Sequence, residues 1–369
     1  MLAKYLFKKK RNIFLAALFD FLGGFFFGIF KKKSIEKTGE KTFLLIRLDH
    51  IGDILSSLSL PKILKENHTN CKVVFLTSSP GAELLRHNPF VDEIIIYDVS
   101  WFARKTDRVA RKTRFSEIVK KLRKAGIGTA FGLRGDLREN FLMWCAKIPN
   151  RVGYGITGGG FFLTQEVRYR PGVHQTEHAL DLLRAQGIPA EWTRPTIYFE
   201  KFLAEGILST PFAVFQVKSG SAAKDWETAH INNFMEQFTK NFPKTSLVLI
   251  GAKGEERDSL DFSNNSKILD LRDKTGLREL CGWLQKSSVA IGPDSGPMHI
   301  AAALGVPTVF LYSGTNSFEE WRPLYENAVA LRHDVPCSPC ARVACNVKGH
   351  PCLSEIRPEQ VVEAVKKIL

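Results

Sequence analysis

The stretch 289–312 constrains the fold of this chain more than any other part of its sequence. Apolar residues at 289–291 and 308–312 predict two short buried strands. Between them, residues 298–304 predict a helix of about two turns. Two parallel strands need a crossover connection, which is usually a helix, so this stretch predicts an α/β protein built on a parallel sheet.

The loop before this helix is suited to an anionic ligand. Asp294 or Ser295 can cap the helix, and Pro297 lies where a missing N–H costs nothing. A helix N-terminus presents unpaired N–H groups and the positive end of the helix dipole, which suit a phosphate. Asp294, Ser295 and His299 add side chains that could hold sugar hydroxyls. An ordinary capped helix has the same pattern, so the pattern alone leaves both interpretations open.

Alternating strands and helices continue over most of the chain and predict two domains. The length of 369 residues suits two domains of ordinary size. We predict one at 42–190 and a second at 191–369, each a Rossmann-like doubly wound sheet, with the two facing a cleft. The second would include a cysteine-rich segment at 337–352 and a final helix. Residues 54–66 are predicted to form one of the helices of the first domain.

Residues 1–41 form a separate segment with the character of a membrane anchor and a linker. Residues 13–30 are apolar apart from Asp20, and basic residues flank them on both sides. Their eighteen residues are at the short limit for a spanning helix, and Asp20 and the Gly23-Gly24 pair weaken that assignment further. An anchor lying in the plane of the cytoplasmic leaflet, or re-entering it, is favoured over a true span. A buried helix of the soluble domain is the remaining alternative.

The positive charge of the chain is concentrated in two segments. The formal net charge is +14, residues 1–33 hold eight Lys and Arg against one Asp, and residues 104–124 hold ten against two acids. A local excess of this kind indicates an anionic partner. No zinc-finger spacing, RNP signature or helix-turn-helix pattern supports nucleic acid. We therefore expect contact with a membrane surface through residues 1–33 and no nucleic-acid partner.

Four of the seven cysteines crowd into the segment 337–352. They are Cys337, Cys340, Cys345 and Cys352. Four thiols close in sequence could form a structural zinc site, although only the first pair has tight spacing. Free or redox-active thiols are the favoured interpretation. Disulfides are disfavoured because the apolar run is not followed by a signal-cleavage site, which indicates a cytoplasmic, reducing location.

Four short motifs follow one another in the expected loops. In order, they are LIRLDHIGDIL at 45–55, KDW at 224–226, GAKGE at 251–255 and DSGPMHIAAALGVPT at 294–308. Together they resemble glycosyltransferase family 9, the ADP-heptose:lipopolysaccharide heptosyltransferases and their relatives. Each motif alone is weak, but four in the right order are specific. The resemblance runs from about residue 43 to the C-terminus and does not include the N-terminal anchor.

This resemblance implies a GT-B fold, in which the N-terminal Rossmann-like domain binds the acceptor and the C-terminal one binds the nucleotide-sugar. It implies an inverting, metal-independent transfer of heptose, or a similar sugar, from an ADP-sugar to a lipopolysaccharide core or related glycolipid. No cofactor is implied beyond the nucleotide-sugar co-substrate, ADP-heptose being the expected one. The enzyme would act in the cytoplasm, at the inner face of the cytoplasmic membrane.

The chemistry of inverting transfer suits two residues in these motifs. Transfer is a direct displacement, so a base must take the proton of the acceptor hydroxyl as it attacks the anomeric carbon. Asp53 matches the Gly-Asp of the family and is the predicted base, with Asp49 as the competing candidate. Lys224 matches the family's Lys-x-Trp and is predicted to stabilise the charge that grows on the departing nucleoside diphosphate. A helix-capping Asp and an exposed loop lysine are the structural alternatives.

The remaining predicted site residues are also carried over from the resemblance. Those predicted to bind the donor are Asp294, Ser295, Gly296, His299, Glu255, Glu256, Lys218 and Thr315. Arg134 and Arg138 are predicted to bind an acceptor phosphate or carboxylate, with structural ion pairs as the alternative. The family usually has Gly-Pro-Thr-Asp-Pro after the last strand, and this chain has Ser-Gly-Thr-Asn-Ser at 313–317. Asn316 thus replaces an acid, which leaves the sugar and the nucleotide open.

Two functions from other classes compete with glycosyl transfer. A GT-B-fold epimerase acting on a free nucleotide-sugar would not need Arg134, Arg138 or the N-terminal anchor. A non-catalytic nucleotide-sugar-binding protein would not need Asp53 or Lys224. The presence of these residues favours the transferase.

Overall fold

The structure is a computed structural model that describes residues 4–7, 9–28, 41–99, 113–199, 208, 210–252, 260–262 and 265–369. Within it, the chain divides into two compact units, which we call the N-terminal unit (Met1–Tyr198) and the C-terminal unit (Phe199–Leu369). The domain boundaries predicted after residues 41 and 190 stay predictions. Residues 104–112 of the basic segment 104–124 lie outside the described residues, as do residues 29 and 30 of the apolar segment.

The described residues include strands β1 to β12 and helices α1 to α13. The strands are Thr42–Arg47, Lys72–Thr77, Glu93–Ile96, Thr129–Gly132, Asn150–Gly153, Gln165–Glu166, Phe212–Gln216, Ser246–Ile250, Ile268–Asp270, Val289–Pro293, Thr308–Tyr312 and Ala328–Arg332. The helices are Lys10–Gly28, Ile51–Leu55, Leu60–Asn67, Ser79–Leu85, Phe115–Lys124, Leu137–Cys145, Gln175–Arg184, Thr228–Asn241, Leu277–Lys286, Gly296–Ala303, Phe318–Trp321, Pro351–Ser354 and Pro358–Lys366. Short 3₁₀ turns occur at Gly160–Phe162 and Ala222–Lys224.

Among the described residues, each unit contains one six-stranded parallel sheet, and the two sheets have the same topology. The strand order is β3-β2-β1-β4-β5-β6 in the N-terminal unit and β9-β8-β7-β10-β11-β12 in the C-terminal unit. Every strand pairing is parallel. This is the Rossmann order, so the predicted α/β class with two Rossmann-like halves is confirmed. The strand order reverses between β1 and β4 and between β7 and β10, which is where open parallel sheets bind ligands.

The central strands of the two sheets are buried on both faces, as in other parallel sheets. All six residues of β1 are buried, and so are all five of β7, β10 and β11. In the C-terminal unit the main core packs α8 and α13 onto the sheet. Phe234 of α8 is fully buried and its ring lies 5.0 Å from that of Phe215 in β7 and 5.8 Å from that of Phe238. This core holds the strands whose ends carry the predicted donor site.

One expected helix is divided in the structure. Residues 54–66 were predicted to form a single helix, and that prediction is wrong, because α2 ends at Leu55 and α3 begins at Leu60. Pro61 lies in the first turn of α3, where its missing N–H is tolerated, whereas a helix interior would not accommodate it. The hydroxyl of Ser57 donates to the carbonyl oxygen of Ile54 at 2.7 Å, as often occurs where a helix ends.

The N-terminal helix α1 packs against the rest of the N-terminal unit. It contacts the 3₁₀ turn Gly160–Phe162. Gly23 is buried there, and a Cβ atom at this position would lie 2.2 Å from the ring of Phe161, so any other residue would displace that ring. In the part of the chain that the structure describes, no helix is long and apolar enough to cross a membrane.

Replacing Phe234 by alanine is expected to destabilise the C-terminal unit by about 3–5 kcal/mol, because it removes a buried ring and leaves a cavity. Glu236 on the same helix is exposed, so Glu236→Ala is the matched control, with an expected change within about 0.5 kcal/mol. Urea denaturation followed by circular dichroism measures both. Equal unfolding midpoints for the two variants would contradict the assigned core.

Candidate active site

The ends of β1 and β4 bring four charged side chains of the N-terminal unit together. Arg47, the last residue of β1, is only 3% exposed. Its Nη2 donates to Asp53 Oδ1 at 2.8 Å, its Nη1 donates to the carbonyl oxygen of Leu133 at 3.1 Å, and its Nε lies 2.8 Å from Asp49 Oδ1. Arg134 Nη1 donates to Asp49 Oδ2 at 2.7 Å. One buried guanidinium therefore joins the predicted base to its competitor.

The two carboxylates differ in their accessibility to a substrate. The side chain of Asp53 is 14% exposed, whereas that of Asp49 is 1% exposed. Burial raises the pKa of Asp49, and the neighbouring Arg47 and Arg134 oppose this rise. Asp53 lies in the first turn of α2 and also accepts a hydrogen bond from the His50 N–H at 3.3 Å. The geometry favours Asp53 as the carboxylate that an acceptor hydroxyl can reach.

Two further residues at this edge of the sheet are absent from the sequence predictions. Arg47 could have been found as the one charged residue at the end of an otherwise apolar strand. Glu139 on α6 is 1% exposed, and its carboxyl oxygens have no hydrogen-bond partner among the described residues. Burial raises the pKa of Glu139 well above the usual range, and the charges of Asp49 and Asp136 raise it further. The neutral acid is therefore favoured at Glu139.

The two arginines predicted to bind the acceptor make ion pairs with local acids. Arg134 is paired with Asp49, and Arg138 donates from Nε and Nη2 to the oxygens of Asp136 at 2.7 and 2.5 Å. Asp136 also caps α6 by accepting from the Arg138 N–H at 2.9 Å. The side chains of Arg134 and Arg138 are still 38% and 45% exposed. The structural alternative is thus realised, and acceptor binding by the exposed guanidinium surface stays a prediction.

Asp294, directly after β10, is the centre of a polar network in the C-terminal unit. Lys224 Nζ donates to its carbonyl oxygen at 2.8 Å and to its Oδ2 at 2.9 Å. Asn316 Nδ2 donates to the same Oδ2 at 2.9 Å, and His299 Nε2 lies 2.9 Å from Oδ1. The loops after β7, β10 and β11 and the helix α10 therefore meet at one carboxylate.

The partners of Asp294 keep it ionised although it is only 3% exposed. Burial acts to raise its pKa, but the hydrogen bond with His299 and the ammonium of Lys224 outweigh burial, and the pKa lies below the usual aspartate range. A buried charge is stable only when it is paired and hydrogen-bonded. An acid at 316, as in the family pattern, would place a second negative charge beside Asp294, whereas the amide of Asn316 donates to it.

The neighbours of Lys224 in the chain hold its loop in place. Asp225 Oδ1 accepts from the Ser219 N–H at 2.7 Å and from its hydroxyl at 3.0 Å, which closes the loop after β7. Trp226 is 4% exposed, and its Nε1 donates to the carbonyl oxygen of Ile356 at 2.9 Å. In the Lys-Asp-Trp motif, Trp226 anchors the loop in the core, Asp225 closes the loop, and Lys224 binds Asp294.

Other predicted donor residues lie at the same edge of the second sheet. Ser295 Oγ donates to Gln216 Oε1 at 2.5 Å, and Gln216 Nε2 donates to the carbonyl oxygen of Lys218 at 2.8 Å. Gly296 begins α10, and Thr315 is buried in the loop after β11. Gln216 is a residue that the sequence predictions missed, since its only signal is a polar residue at the end of an apolar strand.

Some predicted residues remain outside this network. Two predicted donor residues lie outside the described part of the chain: Glu255 and Glu256. The four clustered cysteines form no disulfide among the described residues: Cys337, Cys340, Cys345 and Cys352. Burial raises the pKa of the Cys352 thiol. In the described ranges, no group of three or more His, Cys, Asp or Glu side chains is arranged to hold a metal ion. The favoured state of the cysteines, free or redox-active thiols, stays a prediction.

Residues 115–350 match the family model of glycosyltransferase family 9 (heptosyltransferase). Lipooligosaccharide heptosyltransferase 2 of Campylobacter jejuni serotype O:6 is 29% identical over 336 residues, which are 86% of this chain and 96% of the relative. The protein of the same name from serotype O:2 is 30% identical over 159 residues. That alignment covers 41% of this chain and 48% of the relative, so it spans about half of that protein.

Solved structures share the fold. Escherichia coli ADP-heptose lps heptosyltransferase II matches with a TM-score of 0.71 and 20% identity, over 89% of this chain and 98% of that one. E. coli heptosyltransferase WaaC with ADP matches with a TM-score of 0.68 and 16% identity, over 89% of this chain and 100% of that one. These matches confirm the fold that the four motifs implied, and the family model confirms the resemblance itself. The chain belongs to glycosyltransferase family 9, the heptosyltransferase family, and is a glycosyltransferase.

Proposed function

We propose that this enzyme transfers a heptose, or a similar sugar, from an ADP-sugar to a lipopolysaccharide core or a related glycolipid, with inversion and without a metal. One observation carries the proposal: Asp53 lies at the switch point of the first sheet, and Lys224, Asp294 and His299 lie at that of the second. The names of the similar proteins support the substrates, since they include lipooligosaccharide heptosyltransferase and ADP-heptose heptosyltransferase.

In the proposed mechanism, Asp53 accepts the proton of the acceptor hydroxyl as that oxygen attacks the anomeric carbon. Arg47 positions the carboxylate through the Nη2 contact of 2.8 Å and leaves part of it exposed. Arg134 and Arg138 would bind an anionic group of the acceptor with their exposed guanidinium surface. We thus assign acceptor binding to residues 42–190.

Residues 191–369 would bind the donor. Negative charge grows on the leaving diphosphate, and Lys224 together with the N-terminal end of α10 would stabilise that charge. Ionised Asp294 holds Lys224 and His299 in place and offers acceptor oxygens to sugar hydroxyls. Further proposed donor contacts are Ser295, Gly296, Lys218, Thr315, Glu255 and Glu256.

The acceptor class also suggests where the enzyme works. A glycolipid acceptor is anchored in a membrane, and residues 1–33 carry basic groups on both sides of an apolar segment. We place the enzyme in the cytoplasm, at the inner face of the cytoplasmic membrane. The comparisons favour neither the epimerase nor the non-catalytic binding protein, because the family and the relatives reported above are transferases.

Asp53→Asn is expected to lower kcat about 10²–10⁴-fold, because it removes the base and keeps the shape of the side chain. The KM for ADP-heptose should not change, since the donor is bound by other residues. The measurement is ADP release with ADP-heptose and a lipopolysaccharide-core acceptor. Asp49→Asn is the comparison variant. It should lower the melting temperature, and its loss of kcat should be smaller than that of Asp53→Asn. Full activity of Asp53→Asn would exclude the assigned base.

Lys224→Met is expected to lower kcat about 10²–10³-fold, the usual effect of removing one group that stabilises transition-state charge. Lys224→Arg should recover part of the rate, because it restores the cation. The exposed Lys240 on α8 provides the control, and Lys240→Met should behave as wild type. Melting temperatures separate a catalytic loss from unfolding caused by the unpaired Asp294. If Lys224→Met turns over normally, the lysine has no role in departure of the diphosphate.

Removal of divalent metal is expected to leave turnover unchanged, because Lys224 and the α10 N-terminus fill the role that a metal ion plays on a leaving diphosphate. The test compares ADP release before and after treatment with EDTA and desalting. A loss of activity that Mg²⁺ or Mn²⁺ restores would refute the metal-independent mechanism.

A further inference from the structure

Helix α1 carries an unusual share of the exposed apolar surface. Half of the exposed large hydrophobic side chains among the described residues lie on this one helix. They are Phe14, Leu15, Leu18, Phe19, Phe21, Leu22, Phe25 and Phe26, with exposures from 43% to 70%. A large exposed apolar patch on a folded protein marks a site that binds another protein or a membrane.

Fixed contacts on the opposite side of α1 define which side is exposed. The carboxylate of Asp20 accepts from the Gly159 N–H at 2.6 Å and from the Tyr5 hydroxyl at 2.9 Å, and it lies 3.1 Å from Lys4 Nζ. Gly23 lies against the Phe161 ring on the same side. Helix α1 is therefore packed along one side against the rest of the N-terminal unit. Its other side is also apolar but is exposed, so only one side of the helix is covered by protein.

Aromatic side chains outside α1 extend the exposed patch. Phe115 of α5 stacks on Phe141 of α6 with ring centroids 5.7 Å apart, and Phe141 stacks on Trp144 at 5.8 Å. Trp144 lies 5.5 Å from Phe162, which lies 6.5 Å from Phe19 of α1. Phe115, Phe141 and Trp144 are each between 36% and 39% exposed. A continuous row of rings thus links α5, α6 and α1, and we call it the aromatic row.

Charge on these helices identifies what covers the surface. Lys9, Lys10 and Arg11 are exposed at the start of α1. Helix α5 adds four exposed cations: Lys120, Lys121, Arg123 and Lys124. A second copy of the chain, packed through the same face, would bring these like charges together. An anionic bilayer complements both features, since its headgroups attract the cations and its interface accepts aromatic rings.

We infer that α1 and the aromatic row form one surface that docks on an anionic lipid bilayer, with α1 lying in the plane of the interface. The surface is wider than the N-terminal segment, because it includes Phe141 and Trp144 of the sheet-flanking helix α6. Gly159, which holds Asp20, follows the carboxyl end of β5, and Asp53 follows that of β1 in the same sheet. Docking therefore places the proposed acceptor edge near the bilayer, and this last step rests on the proposed function.

Vesicle co-sedimentation with the full chain tests the docking surface. The vesicles are phosphatidylcholine alone or phosphatidylcholine mixed with phosphatidylglycerol, and neither donor nor acceptor is added. We expect binding to the anionic vesicles that weakens at high salt. Phe21→Ser/Phe25→Ser and Phe141→Ser/Trp144→Ser should each lower the affinity about tenfold or more, because each pair removes two rings from the interface. Ile96→Ser is the control, since Ile96 is 44% exposed on β3 and lies in neither α1 nor the aromatic row.

A conservative variant guards against misfolding of the serine variants. Brominated lipid should quench part of the tryptophan fluorescence of wild type, and Trp144→Phe should remove that part while the protein still binds. No binding of wild type to anionic vesicles would overturn the inference. Wild-type affinity in Phe141→Ser/Trp144→Ser would overturn the part played by the aromatic row. Self-association of lipid-free protein through this face, without vesicle binding, would identify a second copy as the occupant and refute the bilayer.

Turnover of a deacylated, water-soluble acceptor separates this inference from the proposed function. The surface variants should retain that turnover, because their side chains do not belong to the proposed site. Vesicle binding without any turnover would support the docking surface and refute the proposed transfer. Turnover without vesicle binding would support the proposed transfer and refute the docking surface.

Discussion

Parallel pairing of every described strand is the constraint on which the position of the chemistry depends. In a parallel sheet, all strands deliver their carboxyl ends to one edge, and the crossover helices begin there. Side chains far apart in sequence thus meet without any long loop. Asp49 and Arg134 approach within 2.7 Å across 85 positions, and Lys224 and Asp294 within 2.9 Å across 70. The same arrangement, used twice, gives the chain two polar clusters.

Each cluster is organised by one buried charge, and the two charges have opposite sign. Arg47 is the centre in the N-terminal unit, and Asp294 is the centre in the C-terminal unit. Taking such a group out of water is costly, so it persists only when its partners hold it, and removing one partner typically costs about 3–5 kcal/mol. Both networks therefore fix geometry as well as charge. A cation that orients a base suits proton abstraction, and an anion that orients a cation suits a phosphorylated donor.

The fold and most residues of the two networks could be predicted from the sequence, whereas Arg47 and Gln216 could not, for a physical reason. Asp53, Lys224 and His299 belong to motifs that can be recognised locally. Gln216 ends an apolar strand, and nothing in its neighbourhood indicates Ser295, 79 positions away, as its partner. Arg47 also ends an apolar strand, and although Asp49 and Asp53 follow it closely, its contact with the carbonyl oxygen of Leu133 spans 86 positions. The split of the helix after Leu55 was missed because an amphipathic pattern continues across the break. Partners of long range and interruptions of a helix are decided by tertiary contacts, which periodicity does not encode.

Helix α1 shows how one set of residues can have opposite meanings in sequence and in structure. Asp20 and the Gly23-Gly24 pair weaken the case for a spanning helix, because a charge and flexible residues are costly in a bilayer core. In the folded chain, the Asp20 carboxylate accepts a hydrogen bond from the Gly159 N–H, and Gly23 leaves space for the Phe161 ring. Both features are thus attachment points to the N-terminal unit. A helix attached along one side cannot leave that unit to cross a bilayer without breaking these contacts, so its remaining apolar side can meet lipid only in the plane of the membrane.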